Sequence, residues 1–408
     1  MRIGALGDDF TGSADLANMT ARAGLATRLY SGPPEGPAGS EQAAIVALKT
    51  RSIPAADAVE QSVRAADWLL REGAERVLFK YCSTFDSTPE GNIGPVTQAL
   101  ADRLGAEQVL FVPSFPETGR TVYQGHLFVG NVLLSESPLA RHPLNPMTDP
   151  DIRPWLRRQT GRGVGHLPLH ALRSEDPEGA LRCVEAPFVV ADAIDDGDIR
   201  RLGRLLVRAP LVTGGSAIGA GLAEALGAEG RGYEGWTGTA GSAVILAGSC
   251  SATTLGQIEA HRGPRRLLEV EEALADPARA AAEIAAWVDE AAGGEEAPLV
   301  AASQPPEAVR MAQARHGRER IAVAIEDTFA RLARDLAELG VTRFVVAGGE
   351  TSGAVATGLG IQGFEVGPQI APGVPALAAG PLRLALKSGN FGGPDFFREA
   401  VSALGAQP

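Results

Sequence analysis

Short apolar runs alternate with longer amphipathic stretches along most of the chain. The apolar runs are rich in Val, Ile, Leu and Phe and predict buried β-strands. We place these strands at residues 2–6, 27–30, 44–48, 76–80, 108–112, 188–191, 210–213, 243–247, 265–268, 298–302, 343–347 and 382–387. Helical spacing of apolar residues predicts helices near 57–72, 93–104, 277–291 and 320–339. This alternation predicts an α/β fold with mostly parallel sheets flanked by helices.

The series of elements is interrupted at residues 231–241, which are rich in glycine and have no periodicity. Such a segment is typical of a linker between domains, and 408 residues suffice for two domains with separate cores. We predict one domain over residues 1–235 and a second over residues 242–408, each with its own sheet. Residues 114–150 are predicted to form a long irregular stretch, of the kind that often carries function in compact enzymes.

Composition and charge argue against several classes of protein. The net charge of -12 disfavours nucleic acid as a partner, because a phosphate backbone is bound by basic patches. No apolar run is long enough to predict a membrane span, and the acidic Asp8 comes before any run resembling a signal peptide has formed. The three cysteines are far apart and favour neither a disulfide framework nor a zinc site. A cytoplasmic protein is the simplest interpretation.

Lysine is rare in this chain. Of its 37 basic residues, only Lys49, Lys80 and Lys387 are lysines. Each lies at the end of a predicted strand, beside small polar residues. A chain that uses arginine for its surface is expected to retain lysine where an ammonium group is needed. These lysines are therefore candidates for binding an anion, the alternative being ordinary surface residues.

Polar clusters follow five predicted strands of the first domain. They comprise residues 7–12, 49–52, 80–88, 192–196 and 214–216. Ligands of parallel sheets bind beyond the carboxyl ends of the strands, so clusters at these positions predict a site. Helix capping and turn formation would account for the Ser, Thr, Asp and Gly residues. They account poorly for the cations Arg51 and Lys80, which favour a binding site.

The residue types in these clusters suit a small polyhydroxy acid. Its carboxylate would be bound by Arg51 through a bidentate fork or by Lys80 as a point charge. Its hydroxyl groups would donate to the carboxylates of Asp8, Asp9 and Asp86. One of these aspartates could also accept the proton of a hydroxyl that attacks phosphorus, since phosphoryl transfer requires mainly positioning and charge neutralisation.

The second domain contains three glycine-rich turns at the ends of predicted strands. They are Gly248-Ser249-Cys250-Ser251, Gly348-Gly349-Glu350-Thr351-Ser352-Gly353 and Lys387-Ser388-Gly389-Asn390-Phe391-Gly392-Gly393. Small residues at a strand-to-helix turn let backbone N–H groups approach phosphate oxygens, and a helix N-terminus favours negative charge. Tight turning explains any one of them equally well. Together they predict a nucleoside triphosphate site, although neither the P-loop motif nor the dinucleotide fingerprint is present.

In this order, the motifs resemble those of the four-carbon acid sugar kinase family over essentially the whole chain. The resemblance rests on Asp8-Asp9-Phe10-Thr11-Gly12, Asp86-Ser87-Thr88 with Gly91-Asn92-Ile93-Gly94, Gly215-Ser216, and the turns beginning at Gly248 and Gly348. Three longer runs, residues 80–88, 128–137 and 385–392, are most similar to the 3-oxo-tetronate 4-kinases of this family. Members pair an N-terminal substrate-binding domain with a C-terminal nucleotide-binding domain.

The resemblance implies that ATP phosphorylates the C4 hydroxyl of a 3-oxo-tetronate, a 3-dehydro four-carbon sugar acid. ATP contacts are implied for Ser249, Ser251, Gly348, Gly349, Glu350, Thr351 and Gly389. Substrate contacts are implied for Arg51, Lys80, Ser83 and Ser87, with Asp9, Asp86 or Asp8 as the catalytic aspartate. Mg²⁺ accompanies ATP in such chemistry, with Glu350 a candidate contact and the other metal ligands unknown.

Three alternatives remain open at this point. D-threonate or D-erythronate would fit the same kinase motifs, because a single hydrogen bond can decide between a C3 hydroxyl and a ketone. The strand–Gly–helix start at residues 3–12 also suggests an NAD-dependent oxidoreductase, but the third glycine is missing and Asp8-Asp9 would meet the pyrophosphate. A non-enzymatic sugar-acid sensor would not need the three phosphate-type turns. The sequence does not specify the oligomeric state and is compatible with a homo-oligomer.

Overall fold

The computed structural model describes residues 1–141, 145–230, 232–294, 296–304 and 306–406. The chain folds into two compact units, Met1–Tyr233 and Glu234–Pro408. The predicted linker at residues 231–241 includes the boundary between them, with Arg231 outside the described residues. Residues 407 and 408 of the predicted second domain also lie outside them. No described helix is long and apolar enough to cross a membrane.

The first unit is built on a parallel sheet. In chain order its strands are β1 (Ile3–Gly7), β2 (Thr27–Ser31), β3 (Ala43–Ala47), β4 (Val77–Lys80), β5 (Val109–Val112), β6 (Arg120–Tyr123), β7 (His126–Val129), β8 (Val132–Leu133), β9 (Val164–Leu167), β10 (Phe188–Ala191) and β11 (Leu211–Gly214). The main sheet has the order β2-β3-β1-β4-β11-β5-β10-β9, with every neighbouring pair parallel. Its central strands are buried along their whole length, which is why they read as continuous apolar runs.

Helices connect the strands of this unit. They are α1 (Phe10–Arg22), α2 (Ala55–Arg71), α3 (Ile93–Leu104), α4 (Ile152–Gln159), α5 (Leu169–Leu172), α6 (Pro177–Arg182), α7 (Asp196–Leu206) and α8 (Ala217–Ala225). In α2, Ala58, Ala65 and Leu69 recur at helical spacing and form the buried face. The helices predicted near residues 57–72 and 93–104 are confirmed.

The prediction of an irregular stretch over residues 114–150 is wrong at residues 120–133. There β6, β7 and β8 form a small antiparallel sheet. β6 and β7 are joined by Gln124 and Gly125, both with positive φ (54° and 73°), as many two-residue hairpins require. Glutamine is not a residue that signals such a turn, so the sequence pattern did not reveal the hairpin. Residues 142–144 of the stretch lie outside the described residues.

The second unit is also built on paired strands. Its strands are β12 (Ser242–Ala247), β13 (Arg265–Leu267), β14 (Leu299–Ala301), β15 (Val341–Ala347), β16 (Gly363–Ala371), β17 (Val374–Ala379) and β18 (Leu382–Lys387). Their order is β13-β14-β12-β15-β18-β17-β16. The five neighbouring strands β13, β14, β12, β15 and β18 are parallel to one another. Strand β17 runs antiparallel to its neighbours β18 and β16. The hairpin of β16 and β17 was not predicted, although Gly373 at its turn has a φ of 77°.

The helices of the second unit are α9 (Ala252–Ala260), α10 (Val270–Ala275), α11 (Pro277–Ala291), α12 (Pro306–His316), α13 (Arg318–Glu338), α14 (Gly349–Gly358) and α15 (Phe396–Ala403). Helices α9 and α14 begin soon after β12 and β15. Their N-termini therefore lie at the carboxyl ends of these parallel strands, where α/β proteins bind ligands. The predicted α/β class, with a mostly parallel sheet and flanking helices in each unit, is confirmed.

Candidate active site

Four of the five predicted polar clusters meet at the carboxyl edge of the first sheet. They follow β3, β1, β4 and β11, which are consecutive in the sheet order. Backbone hydrogen bonds tie the loops together. Asp8 N donates to Lys80 O at 3.0 Å, and Asp8 O accepts from Thr50 N at 2.9 Å and from Arg51 N at 3.2 Å. The strand ends that carry Asp8, Arg51 and Lys80 are therefore held side by side.

The fifth cluster, residues 192–196, supports the fold. Asp192 is buried and accepts hydrogen bonds from two backbone N–H groups of the β6–β7 turn, each at 2.9 Å, and contacts His166 Nε2 at 2.8 Å. Asp195 caps helix α7 in a capping box with Asp198. Capping and packing account for this strand end, and it is not part of the candidate site.

Arg51 joins the aspartates of the cluster. Its Nε and Nη2 donate to the two oxygens of Asp8 at 3.0 and 2.8 Å, and Nη2 also donates to Asp9 Oδ1 at 2.5 Å. Nη1 lies 3.8 Å from Asp86 Oδ2. Asn92 fixes the loop that carries Arg51, since its Nδ2 donates to two carbonyl groups of that loop at 2.6 and 2.9 Å. Most of the guanidinium is thus engaged within the protein, and Nη1 is the nitrogen best placed to meet a ligand.

These contacts give the two adjacent aspartates different acidities. Burial raises the pKa of Asp8, although the charge and hydrogen bonds of Arg51 oppose it. Burial also favours a higher pKa for Asp9, but the charges of Arg51 and Lys80 outweigh this effect and lower the pKa of Asp9 to about 2. Asp9 also caps helix α1, and its Oδ2 accepts from Thr11 Oγ1 at 2.8 Å. Asp9 is therefore held as an anion and is a weak proton acceptor at neutral pH.

Lys80 is the second cation of the cluster and is only 4% exposed. Its Nζ lies against the first turn of α1, where a Cβ atom on Gly12 would come within 2.3 Å of it. The charge of Lys80 lowers the pKa of Asp9 and of Asp15. Glycine at position 12 is thus what lets the ammonium group approach helix α1.

The segment after β4 contributes a third aspartate and two serines. Asp86 Oδ1 is buried and has no hydrogen-bond partner among the described residues. Ser83 is half-buried, and its Cβ lies 3.4 Å from where a Cβ on Gly215 would be. Ser87 is engaged in packing, because its Oγ donates to a backbone carbonyl at 2.9 Å and accepts from Gln159 Nε2 at 2.8 Å. These contacts argue against the predicted substrate contact at Ser87. Ser83 and Asp86 remain the candidate substrate contacts of this segment.

In the second unit, the three glycine turns follow β12, β15 and β18, which are neighbours in the sheet. Gly248 N donates to Ala347 O, and Gly348 N donates to Lys387 O, both at 2.9 Å. Thr351 packs against both glycines: a Cβ on Gly248 would lie 2.1 Å from its Oγ1, and one on Gly348 would lie 2.9 Å away. Gly348 also has a φ of 135°, which L side chains rarely adopt. A side chain at either glycine would therefore collide with Thr351.

Gly389 joins the third turn to the first. Its carbonyl oxygen accepts from Ser251 Oγ at 2.7 Å, from Thr254 Oγ1 at 2.9 Å and from Lys387 Nζ at 3.0 Å. A Cβ on Gly389 would lie 2.1 Å from Ser249 Oγ. The predicted ATP contacts Ser249, Ser251 and Gly389 therefore lie together.

The buried side chain of Lys387 stabilises the contact between these turns. It is fully buried, and burial lowers the pKa of Lys387 to about 7. Its Nζ donates to Thr254 Oγ1 at 3.1 Å and to the carbonyl oxygens of Ser388 and Gly389, each at 3.0 Å. The ammonium also lies 5.8 Å from the ring centre of Phe396. Lys387 thus ties the turn after β18 to helix α9 through uncharged partners.

Helix α14 begins within the second turn and has no capping side chain. The N–H groups of Gly349, Glu350 and Thr351 therefore have no acceptor within the helix. The positive end of the helix dipole adds to their attraction for an anion. Helix α9 differs, because Ser251 Oγ accepts from Thr254 N at 3.2 Å and caps it. The open end of α14 is a suitable place for a phosphate group.

Two family models match the chain, one in each unit. Residues 3–224 match a sugar-binding N-terminal domain, and residues 244–397 match a nucleotide-binding C-terminal domain. The chain is 46% identical to a 3-oxo-tetronate kinase of Methylobacterium radiotolerans, with 99% of each chain covered. It is 45% identical to a 3-oxo-tetronate kinase of Cupriavidus necator, over 99% of this chain and 97% of the relative.

The chain belongs to the four-carbon acid sugar kinase family. Solved structures agree with this assignment of the fold. A Salmonella typhimurium LT2 protein, provisionally described as a tRNA synthase, is 42% identical with a TM-score of 0.88 over 98% of both chains. A Haemophilus influenzae protein is 40% identical with a TM-score of 0.80, over 98% of this chain and all of the other. Membership of this kinase family goes against the alternatives of an NAD-dependent oxidoreductase and a non-enzymatic sensor.

Some residues of this kinase that support or adjoin the site were not predicted. Thr254 and Gln257 follow Ser251 at helical spacing, and Gln257 Nε2 donates to three carbonyl groups of the turn after β18, at 2.9 to 3.1 Å. Asp15 follows Gly12 by three positions and lies near Lys80. These residues lie on the polar faces of the helices that follow the strand ends, and not at the strand ends themselves. That helical spacing is the signal that could have found them.

Proposed function

We propose that the protein is an ATP-dependent kinase that phosphorylates the C4 hydroxyl of 3-oxo-tetronate and yields 3-oxo-tetronate 4-phosphate. The observation that carries this proposal is the identity of 45–46% with 3-oxo-tetronate kinases over nearly the whole of both chains. The two kinds of candidate site support it. A buried cluster of acids and cations suits a sugar acid, and glycine turns with an uncapped helix suit phosphates.

The proposal assigns the sugar acid to residues 1–235 and ATP to residues 242–408. Lys80 would hold the carboxylate of the sugar acid with help from Arg51 Nη1, because the other guanidinium nitrogens are engaged with Asp8 and Asp9. Substrate hydroxyl groups would donate to carboxylate oxygens of the cluster. Asp86 Oδ1 is suited to this role, since it is buried without a partner among the described residues.

ATP phosphates would be bound by backbone N–H groups of Gly349 to Thr351, with Ser249 and Ser251 beside them. No group of three His, Cys, Asp or Glu side chains that could hold a metal occurs among the described residues. Mg²⁺ that arrives with ATP keeps several waters and needs only one or two carboxylates, so the exposed Glu350 fits as its protein contact. When bound, the ion would neutralise charge on the β- and γ-phosphates.

D-threonate and D-erythronate are the second candidate substrates. The cluster is rich in acceptors, because Asp8, Asp9 and Asp86 surround one arginine. A C3 hydroxyl could donate to these oxygens, whereas a C3 ketone can only accept, from Lys80 or Ser83 for example. This difference in hydrogen bonding is the property that would separate the two substrate classes.

The experiment that tests the proposal compares the acids directly. The purified chain is incubated with Mg²⁺-ATP and with 3-oxo-tetronate, D-threonate or D-erythronate, and ADP release is followed. We expect kcat/KM for 3-oxo-tetronate to exceed the other two by about tenfold or more, the discrimination that one unpaired polar group can give. A higher value for either hydroxy acid would transfer the proposal to that acid. Release of ADP that depends on none of the three would refute it.

A further inference from the structure

Asp15 is a buried carboxylate next to the sugar-acid cluster. It lies on helix α1, six residues after the cap Asp9, and is only 5% exposed. Among the described residues, Asp15 Oδ1 has no hydrogen-bond partner, and neither has Ser216 Oγ at the start of α8, which is 1% exposed. Buried polar atoms in native proteins are nearly always paired. Two adjacent exceptions at the carboxyl edge of the sheet point to a ligand that supplies the missing partner.

The surroundings of Asp15 place it within reach of the cluster. The polar and charged groups that influence its protonation are Ser216, Lys80, Asp9 and Glu117. Burial raises the pKa of Asp15 to about 6, while Ser216 and the charge of Lys80 lower it. The Ser216 hydroxyl is close enough to the carboxylate to lower the pKa of Asp15 through a weak hydrogen bond, but the geometry of this contact is too poor to satisfy either atom fully. A ligand hydroxyl that contacts both groups could donate to the Asp15 carboxylate and accept from the Ser216 hydroxyl.

We propose that Asp15 Oδ1 accepts the proton of the hydroxyl that attacks phosphorus, and that Ser216 Oγ positions this hydroxyl. The inference rests on the proposed function. In the step, the O–H bond of the C4 hydroxyl breaks and its proton passes to Asp15. The C4 oxygen forms a bond to the γ-phosphorus of ATP, and the bond from that phosphorus to the β,γ-bridging oxygen breaks. ADP leaves with the electron pair of the broken bond, and Asp15 later returns its proton to solvent.

The three aspartates predicted from the sequence are less suited to this role. Asp8 and Asp9 are both bound by Arg51, and Asp9 also caps a helix. Both oxygens of Asp8 already accept hydrogen bonds from Arg51, and Asp9, with its pKa lowered to about 2, is a weak proton acceptor. Asp86 faces the same guanidinium at 3.8 Å. Asp15 has no ion pair among the described residues, and the charge of Lys80 acts on it without a direct contact being formed.

The test compares Asp15→Asn with Asp86→Asn and with Asp57→Asn, a change at an exposed position of the same unit. We expect Asp15→Asn to lower kcat about a hundred- to ten-thousandfold, the usual contribution of a general base. Its KM for ATP should stay within about twofold of wild type, and its thermal unfolding should show an intact fold. The kcat of wild type should rise with pH through about 6, where Asp15 loses its proton, and this rise should be absent in Asp15→Asn.

Ser216→Ala supplies a readout that a purely structural role would not change. Because Ser216 lowers the pKa of Asp15, its removal should shift the rise of kcat to higher pH and raise KM for the sugar acid about tenfold. If Asp15→Asn keeps kcat within about tenfold of wild type, or if Asp86→Asn abolishes the pH-dependent rise instead, this inference is wrong while the proposed function stands. A wild-type chain that transfers phosphate to none of the three acids overturns both.

Discussion

The candidate sites of the two units are built differently, from charged side chains in the first unit and from glycine turns in the second. In the first, ionised side chains lie in a partly buried cluster where Arg51 is bound to Asp8 and Asp9. In the second, glycine turns exclude side chains, and the buried Lys387 and two hydroxyl groups hold the carbonyl oxygen of Gly389. The first surface depends on charge balance and therefore on pH. The second depends on shape, so a single added methyl group should disturb it.

Among variants that compare the two units, the largest loss of stability is expected from Arg51→Ala, which removes the charge balance of the first unit. The variant leaves Asp8 and Asp9 as adjacent carboxylates without their arginine, and loss of one partner of such a pair costs about 3 kcal/mol or more. The free energy of unfolding in urea should fall by that amount, and kcat/KM for the sugar acid should fall about a hundredfold. KM for ATP should change little. Arg103→Ala, which breaks the exposed pair with Asp67, should cost less than about 1 kcal/mol; equal losses for the two variants would contradict the account.

Gly389→Ala tests shape in the second unit. Its Cβ would lie 2.1 Å from Ser249 Oγ and 2.9 Å from Ser251 Oγ, so the two serine side chains or the turn must move. Overpacking of this kind costs about 1–3 kcal/mol, and we expect KM for ATP to rise about ten- to a hundredfold, with KM for the sugar acid unchanged. Gly393→Ala is the matched control, because a Cβ there meets nothing within 4 Å. Nucleotide titration of both variants makes the comparison, and similar affinities would remove Gly389 from the site.

Asp9→Asn tests the electrostatics of the first unit through pH. The pKa of Asp9 is lowered from 3.8 to about 2 in the folded protein, which corresponds to about 2 kcal/mol of stability. Because the folded pKa is the lower one, this contribution is present above about pH 4 and is lost as the pH falls toward 2. Asparagine caps helices as well as aspartate does. The loss of unfolding free energy in Asp9→Asn therefore reports the negative charge of Asp9 and not its role as a helix cap. Urea unfolding at pH 7, 4 and 3 should show a difference from wild type that shrinks with falling pH; a constant difference would count against the charge assignment.

The smallest effect is expected from Lys387→Met. Methionine fills the buried space beside Phe396, while the Nζ hydrogen bonds to the turn are lost and the two hydroxyl groups still hold Gly389 O. We expect KM for ATP to rise about tenfold and kcat to change less than threefold. KM for the sugar acid serves as the internal control. An unchanged KM for ATP would show that Lys387 does not position the turn.

The sequence predicted the fold where pattern and packing agree. Strands such as β1 and β15 are buried on both faces and stand out as apolar runs, and the turns that follow them mark the edge where sites form. The two hairpins that were not predicted lie where apolar runs and turn residues are hard to tell apart in the sequence. The turn of β6 and β7 needs positive φ at Gln124, which glutamine does not signal. Strands β16 and β17 lie in a glycine- and proline-rich region without a clear period.

The candidate site was predictable as a set of strand ends, but the roles of single residues were not. Asp192 and Ser87 have the same residue types and positions as the site members, yet the fold engages their side chains. Arg51 was predicted to hold a substrate carboxylate, and most of its donors are taken by Asp8 and Asp9. Such pairings depend on side chains that are distant in sequence. They are visible only once the sheet brings the loops together.

Identification of the phosphorylated atom by NMR shows whether the chain transfers phosphate to the C4 hydroxyl of 3-oxo-tetronate. The full chain is supplied with Mg²⁺-ATP and 3-oxo-tetronate, and the coupling of phosphorus to carbon and hydrogen in the isolated product is recorded. We expect one product, with phosphorus on the C4 oxygen. Phosphorus on the C2 oxygen, or ATP hydrolysis without any phosphorylated four-carbon acid, would contradict it.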